Sequence, residues 1–373
     1  MATSVGAPAE VSGAIALEAR QFRDLLEMLD LAFSSGGVEA HCAQYPLVLG
    51  RANWHRVRIV TEADRVVSAA VAWPSVCRLA GARIKVGFVS NVATHPGHRG
   101  RGLATMAVRA CEDVLRDEGC VFAVLWSADT KFYGHLGYVE AGTEWDLAAP
   151  EAEAASGAVA EHVPGAEERA SLYGELTRRR VSGVVHEHDA LASLLGAPGL
   201  DFRVLRRGGG AVAFAIEGKG QDLGGFVHEW GGSLEGVEEL LGAMAAETRT
   251  RPLVAMLPDE AVLLRRRLER RGFVSTAGAI GLFKVLDPWG LAAILREVLG
   301  RCGVRSIDVG VHADGLAFMH GSRQVVVPTQ EVPRAVLGYC ADLTRTDELS
   351  HSLGVQLQGI LPLPFFLWGL DSC

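Results

Sequence analysis

From Ala82 to Val92 the chain is mostly apolar, ARIKVGFVSNV, and reads as a strand. Leu103, Met106, Ala107, Ala110, Cys111 and Val114 then recur every three to four residues, which is the spacing of one helical face. Gly119 stops that helix, and a second apolar run, Val121 to Leu125, follows. Between strand and helix stands His95-Pro96-Gly97-His98-Arg99-Gly100-Arg101-Gly102. The order is strand, glycine-rich loop, helix, strand.

The same alternation organises the remainder. Ala14 to Leu17 reads as a short strand and Gln21 to Phe33 as a helix, broken at Ser34-Ser35-Gly36-Gly37. Arg56 to Val60 and Val66 to Trp73 form two strands turning at Glu62-Ala63-Asp64, and Val139 to Leu147 closes the first sheet. Ala148 to Gly165 is a linker, after which the plan repeats. Ala166 to Arg179, Leu234 to Thr248 and Asp259 to Arg271 are helical; Phe202 to Leu205, Ala211 to Ile216, Gly225 to Trp230 and Leu253 to Leu257 are strands, with a further one starting at Gly272-Phe273. A last segment carries a helix over Asp287 to Leu299 and strands over Ile307 to Val311, Gly315 to His320 and Gln324 to Val327. Val332 to Cys340 and Asp347 to Leu353 are helical. The expected fold class is therefore α/β (α+β) with a central mixed sheet, in domains 1–150, 151–286 and 287–373. The tail Ile360 to Leu370 is almost wholly apolar, too short to cross a bilayer and too proline-marked for a helix, so it is expected to be buried, in its own protein or in a partner.

Composition narrows the function. At 49% hydrophobic and 21% charged, 373 residues make an ordinary globular protein. A formal net charge of −8 speaks against nucleic-acid binding and suits a cationic amine. Seven scattered cysteines without a CxxC pair, no charged-then-apolar leader and no spanning apolar run point to a reducing cytoplasm and no membrane partner. His186-Glu187-His188-Asp189 lacks a distant third ligand and reads as a solvated loop, so no metal is expected. Arg265 to Arg267 with Arg270 and Arg271 reads as a solvated basic face.

The loop holds the chemistry. Its glycines let backbone approach a ligand, and the free N–H groups of a helix's first turn attract an anion. Arg99 and Arg101 add positive charge. The spacing is neither the GxxxxGK of a P-loop nor the dinucleotide GxGxxG. It is Arg99-x-x-Gly102-x-Ala104, which resembles the pyrophosphate loop of the GNAT N-acetyltransferases. Phe132-Tyr133-Gly134-His135-Leu136-Gly137-Tyr138 resembles the FYxxxGF segment of the same superfamily, in the same order and separation.

That resemblance covers the first 150 residues and implies acetyl-CoA as acyl donor. Its pyrophosphate would rest on Arg99, Gly100, Arg101, Gly102, Leu103 and Ala104, and its pantetheine arm along Asn91, Val92, Ala93 and Thr94. It implies Tyr133 as the acid that protonates the departing thiolate, and an acceptor site bordered by Trp54, His41 and Tyr45. A phenol (pKa ~10) is an acid only slightly weaker than a thiol (~8.5). Aligning Gly272-Phe273 with Gly137-Tyr138 puts Leu268 at the tyrosine position, and Gly231-Gly232-Ser233 carries no arginine. The second unit thus resembles a GNAT fold stripped of its chemistry, and the last segment resembles the sterol-carrier-like domain of Eis-type acetyltransferases. The strand before the loop has no acidic residue to act as base. Eis-type enzymes use their terminal carboxylate, which implies that of Cys373. The resemblance leads to an N-acetyltransferase acting on a small-molecule or lysine amine, with a non-catalytic acyl-CoA-binding sensor as the alternative. Eis-type proteins assemble into rings, which leaves a homo-oligomer open here.

Overall fold

The computed structural model describes residues 11–33, 37–150, 160–220, 223–247, 252–340 and 342–371. Two units are separable. One takes in Met1–Pro74 and Gly87–Glu118, the other Ser75–Val86 and Gly119–Ser372.

The first unit holds β1 (Ile15–Ala16), α1 (Phe22–Phe33), α2 (Val38–Gln44), β2 (Val57–Glu62), most of β3 (Arg65–Leu79), the C-terminal part of β4 (Ala82–Thr94) and α3 (Leu103–Asp117). The strands run in the order β1-β2-β3-β4. β2 and β3 are antiparallel, with Glu62 opposite Arg65 and Val57 opposite Val71. Their turn consists of Ala63 and Asp64, both at positive φ, as a tight two-residue hairpin requires. Leu25 and Leu29 of α1 bury against Val57, Ile59, Ala69 and Val71. Against β4, α3 lies so close that a Cβ on Gly87 would stand 2.5 Å from both Leu115 methyls. Glycine is what allows that approach.

The second unit continues through β5 (Phe122–Leu125), α4 (Thr130–His135), β6 (Val139–Ala141), β7 (Glu144–Ala148), β8 (Glu161–His162), α5 (Ala166–Leu176), β9 (Gly183–Val184) and α6 (His188–Leu195). It goes on with β10 (Asp201–Arg207), β11 (Gly210–Glu217), β12 (Phe226–Gly232), α7 (Leu234–Ala245), β13 (Val254–Pro258), α8 (Val262–Arg270), β14 (Val274–Gly278) and β15 (Gly281–Val285). The last segment is α9 (Pro288–Arg301), the meander β16 (Ile307–His312), β17 (Gly315–His320) and β18 (Arg323–Pro328), then α10 (Val332–Leu337) and α11 (Thr344–Leu353). A seven-stranded sheet is ordered β14-β7-β13-β12-β11-β10-β8, with β12 and β13 parallel across α7.

One expectation needs correction. Val139 to Leu147 is two strands, because Gly142 at φ +78° breaks the run. β6 pairs with β15, whereas β7 pairs with β13 and β14 in the seven-stranded sheet. β15 in turn lies between β5 and β6. β7 and β15 therefore each complete a sheet with strands far off in the sequence. Apolar periodicity marks a strand without marking its partner.

The apolar tail is buried, as its composition demands: Phe365, Phe366, Leu367, Trp368 and Leu370 are all core residues. Leu363 N–H donates to the Val336 carbonyl, and Ala80 N–H donates to that of Pro364. No helix among the described residues is long and apolar enough to cross a membrane.

Candidate active site

β4 does not reach its loop as a regular strand. Asn91 stands at φ +48°, a left-handed conformation rare outside glycine and most tolerated by asparagine. Its buried side chain is held at both ends. His41 Nε2–H donates to Asn91 Oδ1 at 2.6 Å, and Asn91 Nδ2–H donates to Ser90 Oγ at 3.2 Å. Beyond it, Ser68 Oγ–H donates to the Ala93 carbonyl (2.9 Å) and lies 2.8 Å from Thr94 Oγ1. His95 N–H donates to the Val67 carbonyl. Asn91, Val92, Ala93 and Thr94 thus form a kinked, anchored strand end.

The loop that follows opens onto α3. Gly100 and Gly102 both sit at φ +75°, with open space where a Cβ would stand. Gly102 is the N-cap of α3 and offers no side-chain oxygen, and the first turn carries no acidic residue. A 15-residue helix with an uncapped N-terminus, next to Arg99, fits a diphosphate. Arg99 Nε–H donates to the Thr94 carbonyl at 3.3 Å, bracing the loop. Arg101 is more committed than expected: its guanidinium grips Glu62 with two hydrogen bonds of 2.8 and 3.2 Å. His98 Nε2 lies 2.8 Å from the same carboxylate. Arg101's hydrogen bonding and charge, with His98 adding to both, hold Glu62 below the usual carboxylate range. Arg101 therefore shapes the loop and brings little free charge to it.

Tyr133 belongs to the other unit, on α4, whose first turn is capped by Asp129 Oδ1 accepting from Phe132 N–H at 3.0 Å. The ring is 7% exposed, with Phe132 and Tyr138 packed edge-on. Its hydroxyl makes no hydrogen bond with any described residue. Burial, with Asp129 contributing, pushes its pKa up to about 12. Among the described residues, its hydroxyl is a protonated donor without a hydrogen-bond partner.

The repeat unit lacks both devices. Leu268 is fully buried in the core of the seven-stranded sheet. At the start of α7, Ser233 Oγ accepts from Gly236 N–H at 3.1 Å, filling the helix end that Gly102 leaves open on α3.

The two histidines of the 186–189 stretch differ. His188 opens α6 and meets Glu167 at the surface, but the His186 side chain is largely enclosed, 2.9 Å from Asp371. Nearby, Lys219 Nζ donates to the carbonyls of Gly369 (3.1 Å) and Leu370 (2.8 Å). Arg180 pairs with buried Glu229 at 2.9 Å and stacks 3.6 Å above Trp368. This charged cluster grips the tail. The arginine run is also less solvated than expected, since Arg265 stacks on Trp145 and Arg267 pairs with Glu235 and Glu238. Among the described residues no group of three His, Cys, Asp or Glu could hold a metal ion. Cys373 lies outside the described residues. The His41–Asn91 contact, 50 residues apart in sequence, left no trace in spacing.

Residues 14–141 match the family described as an acetyltransferase (GNAT) domain. No curated protein matches the sequence. Among solved structures, the chain resembles a GCN5-related N-acetyltransferase from Kribbella flavida at TM-score 0.62 and 17% identity, covering 93% of both chains. One from Anabaena variabilis gives TM-score 0.62 at 12% identity, covering 98% of this chain and 100% of that one. Eis1 from Mycobacterium abscessus gives 0.57 at 15% identity, covering 95% and 96%. At these identities the likeness is one of fold, and it extends over the whole length.

Proposed function

Because residues 14–141 match the acetyltransferase (GNAT) domain family, we propose that this protein moves the acetyl group of acetyl-CoA to a primary amine. The observation that carries the donor assignment is the uncapped N-terminus of α3 behind two left-handed glycines, set against its capped counterpart on α7. In this reading the diphosphate rests on Arg99 to Ala104 and the pantetheine arm lies along Asn91 to Thr94. The neutral amine attacks the thioester carbon, forming the N–C bond as the C–S bond breaks. Strand N–H groups polarise the carbonyl, and the Tyr133 hydroxyl gives its proton to the thiolate. The amine's proton passes to a base, for which the Cys373 carboxylate is our proposal, tested by appending residues after it. Holding both reactants makes the attack effectively intramolecular.

The test is a panel of primary amines, including aminoglycosides, polyamines and lysine peptides, scored for CoA release and for acetylated product by mass. At least one amine should yield both in equal amounts. Acetyl-CoA binding with no turnover across the panel would favour a non-catalytic acyl-CoA sensor.

A further inference from the structure

We propose that His41 is a positioning residue for acyl transfer, acting through Asn91 to hold the kink of β4 on which the thioester contact depends. The inference rests on the assignment of Asn91 to Thr94 as the donor's strand. A left-handed residue in a strand interrupts the ladder and redirects the peptide groups that follow. For a residue other than glycine that conformation is strained, so something must hold it. The Asn91 side chain is the handle, and His41 grips it from a different element at 2.6 Å.

The energetics of His41 itself point the same way. The residue is 3% exposed, its ring stacked on Phe33 (centroids 5.8 Å apart) and tilted against Tyr45 (5.2 Å). Donating from Nε2 leaves Nδ1 as a bare lone pair, and Nδ1 has no hydrogen-bond partner among the described residues. An unmade hydrogen bond on a buried acceptor is destabilising. A leucine would fill the same aromatic pocket and remove the orphaned Nδ1, but it would leave the buried Asn91 Oδ1 unpaired in exchange, so the two penalties offset. Stability therefore does not explain a histidine here, whereas its one hydrogen bond to Asn91 does. Nε2 carries its hydrogen whether the ring is neutral or charged, so the latch holds on both sides of the ring's titration. Asp30 is the charged neighbour that acts on the ring, against the burial that lowers its pKa.

Steady-state kinetics, acetyl-CoA calorimetry and thermal melts on the full chain test the latch. His41→Leu should lower kcat about tenfold or more, with acetyl-CoA affinity and Tm unchanged. His41→Gln, whose amide N–H can still donate to Asn91 Oδ1, should recover most of the rate. Adding Asn91→Gly to His41→Leu should also restore kcat, because glycine adopts positive φ unaided. Wild-type kcat in His41→Leu, or equal damage in the leucine and glutamine variants, would overturn the latch alone. A Tm well below wild type in His41→Leu would mark the residue as structural and overturn it too. A wild-type chain that binds no acetyl-CoA would defeat the donor assignment, and the latch with it.

Discussion

Tyr133 and Leu268 occupy the same place in two copies of one turn. In the first copy the Tyr133 carbonyl accepts from Leu136 N–H at 2.9 Å and Tyr138 N–H at 3.1 Å; in the second, Leu268 accepts from Arg271 and Phe273 at the same two distances. Gly137 and Gly272 close the turns at φ +89° and +94°. The backbone device is a helix C-cap with a left-handed glycine. One copy carries a phenol and the other a leucine, so the same backbone turn forms with and without a proton-donating side chain.

One acetyl-CoA per chain is therefore expected. Calorimetry should give a stoichiometry near one, and Gly102→Glu should abolish it. The new side chain meets no neighbour at its Cβ, so the loss would come from charge at the helix end and strain at φ +75°. Two sites per chain, or unchanged affinity in the variant, would refute the donor site.

Tyr133→Phe should bind acetyl-CoA normally and lose about a hundredfold in kcat, the scale of a missing general acid. With its pKa pushed up to about 12, Tyr133 stays protonated well past the point where an ordinary tyrosine (~10) would ionise. Wild-type kcat should show no fall assignable to this group between pH 8 and 10.5. An alkaline limb near 10 that vanishes in Tyr133→Phe would contradict the burial described.

Glu229 should make stability fall with pH. Burial raises its carboxyl to about 7 even beside Arg180, whereas the unfolded value is ~4.3. A raised carboxyl binds its proton more tightly when folded, so its contribution is fully present below the unfolded value and is lost as pH climbs toward 7. His228 acts oppositely. Burial lowers it to about 4, so its contribution is lost as pH falls from ~6.5. Glu229→Gln removes the first effect and leaves the second. Melts at pH 5, 6, 7 and 8 should show Tm of the variant rising relative to wild type; a constant difference would exclude this linkage.

Lys219→Met should loosen the tail. It removes the ammonium donor from the Gly369 and Leu370 carbonyls in a buried setting, at about 1–3 kcal/mol for each bond left unmade. Proteolysis at the Leu363–Trp368 stretch should accelerate relative to cleavage elsewhere. Unchanged protection would mean that apolar packing alone secures the tail.

Local order was legible in the sequence wherever it depends on neighbours along the chain. The strand before the loop, the helix after it and the hairpin at Ala63-Asp64 follow from periodicity and turn residues a few positions apart. The two motifs could be read because glycine spacing and an aromatic pair are short-range signals. Leu268 as the silent counterpart of Tyr133 was legible too, since both sit at fixed distance from a glycine. What tertiary structure alone decided are pairings between distant segments. β7 and β15 look like any strand, and which sheet each joins depends on shapes that no window of residues contains. His186 reads as a loop histidine until Asp371 arrives beside it, and His41 reads only as a neighbour of the acceptor site until its hydrogen bond to the left-handed Asn91 is seen. Arg101 reads as free charge until Glu62 takes it. A side chain's chemistry belongs to its residue type, but its partner, and so its role, is set where the folded chain brings remote positions within hydrogen-bonding reach.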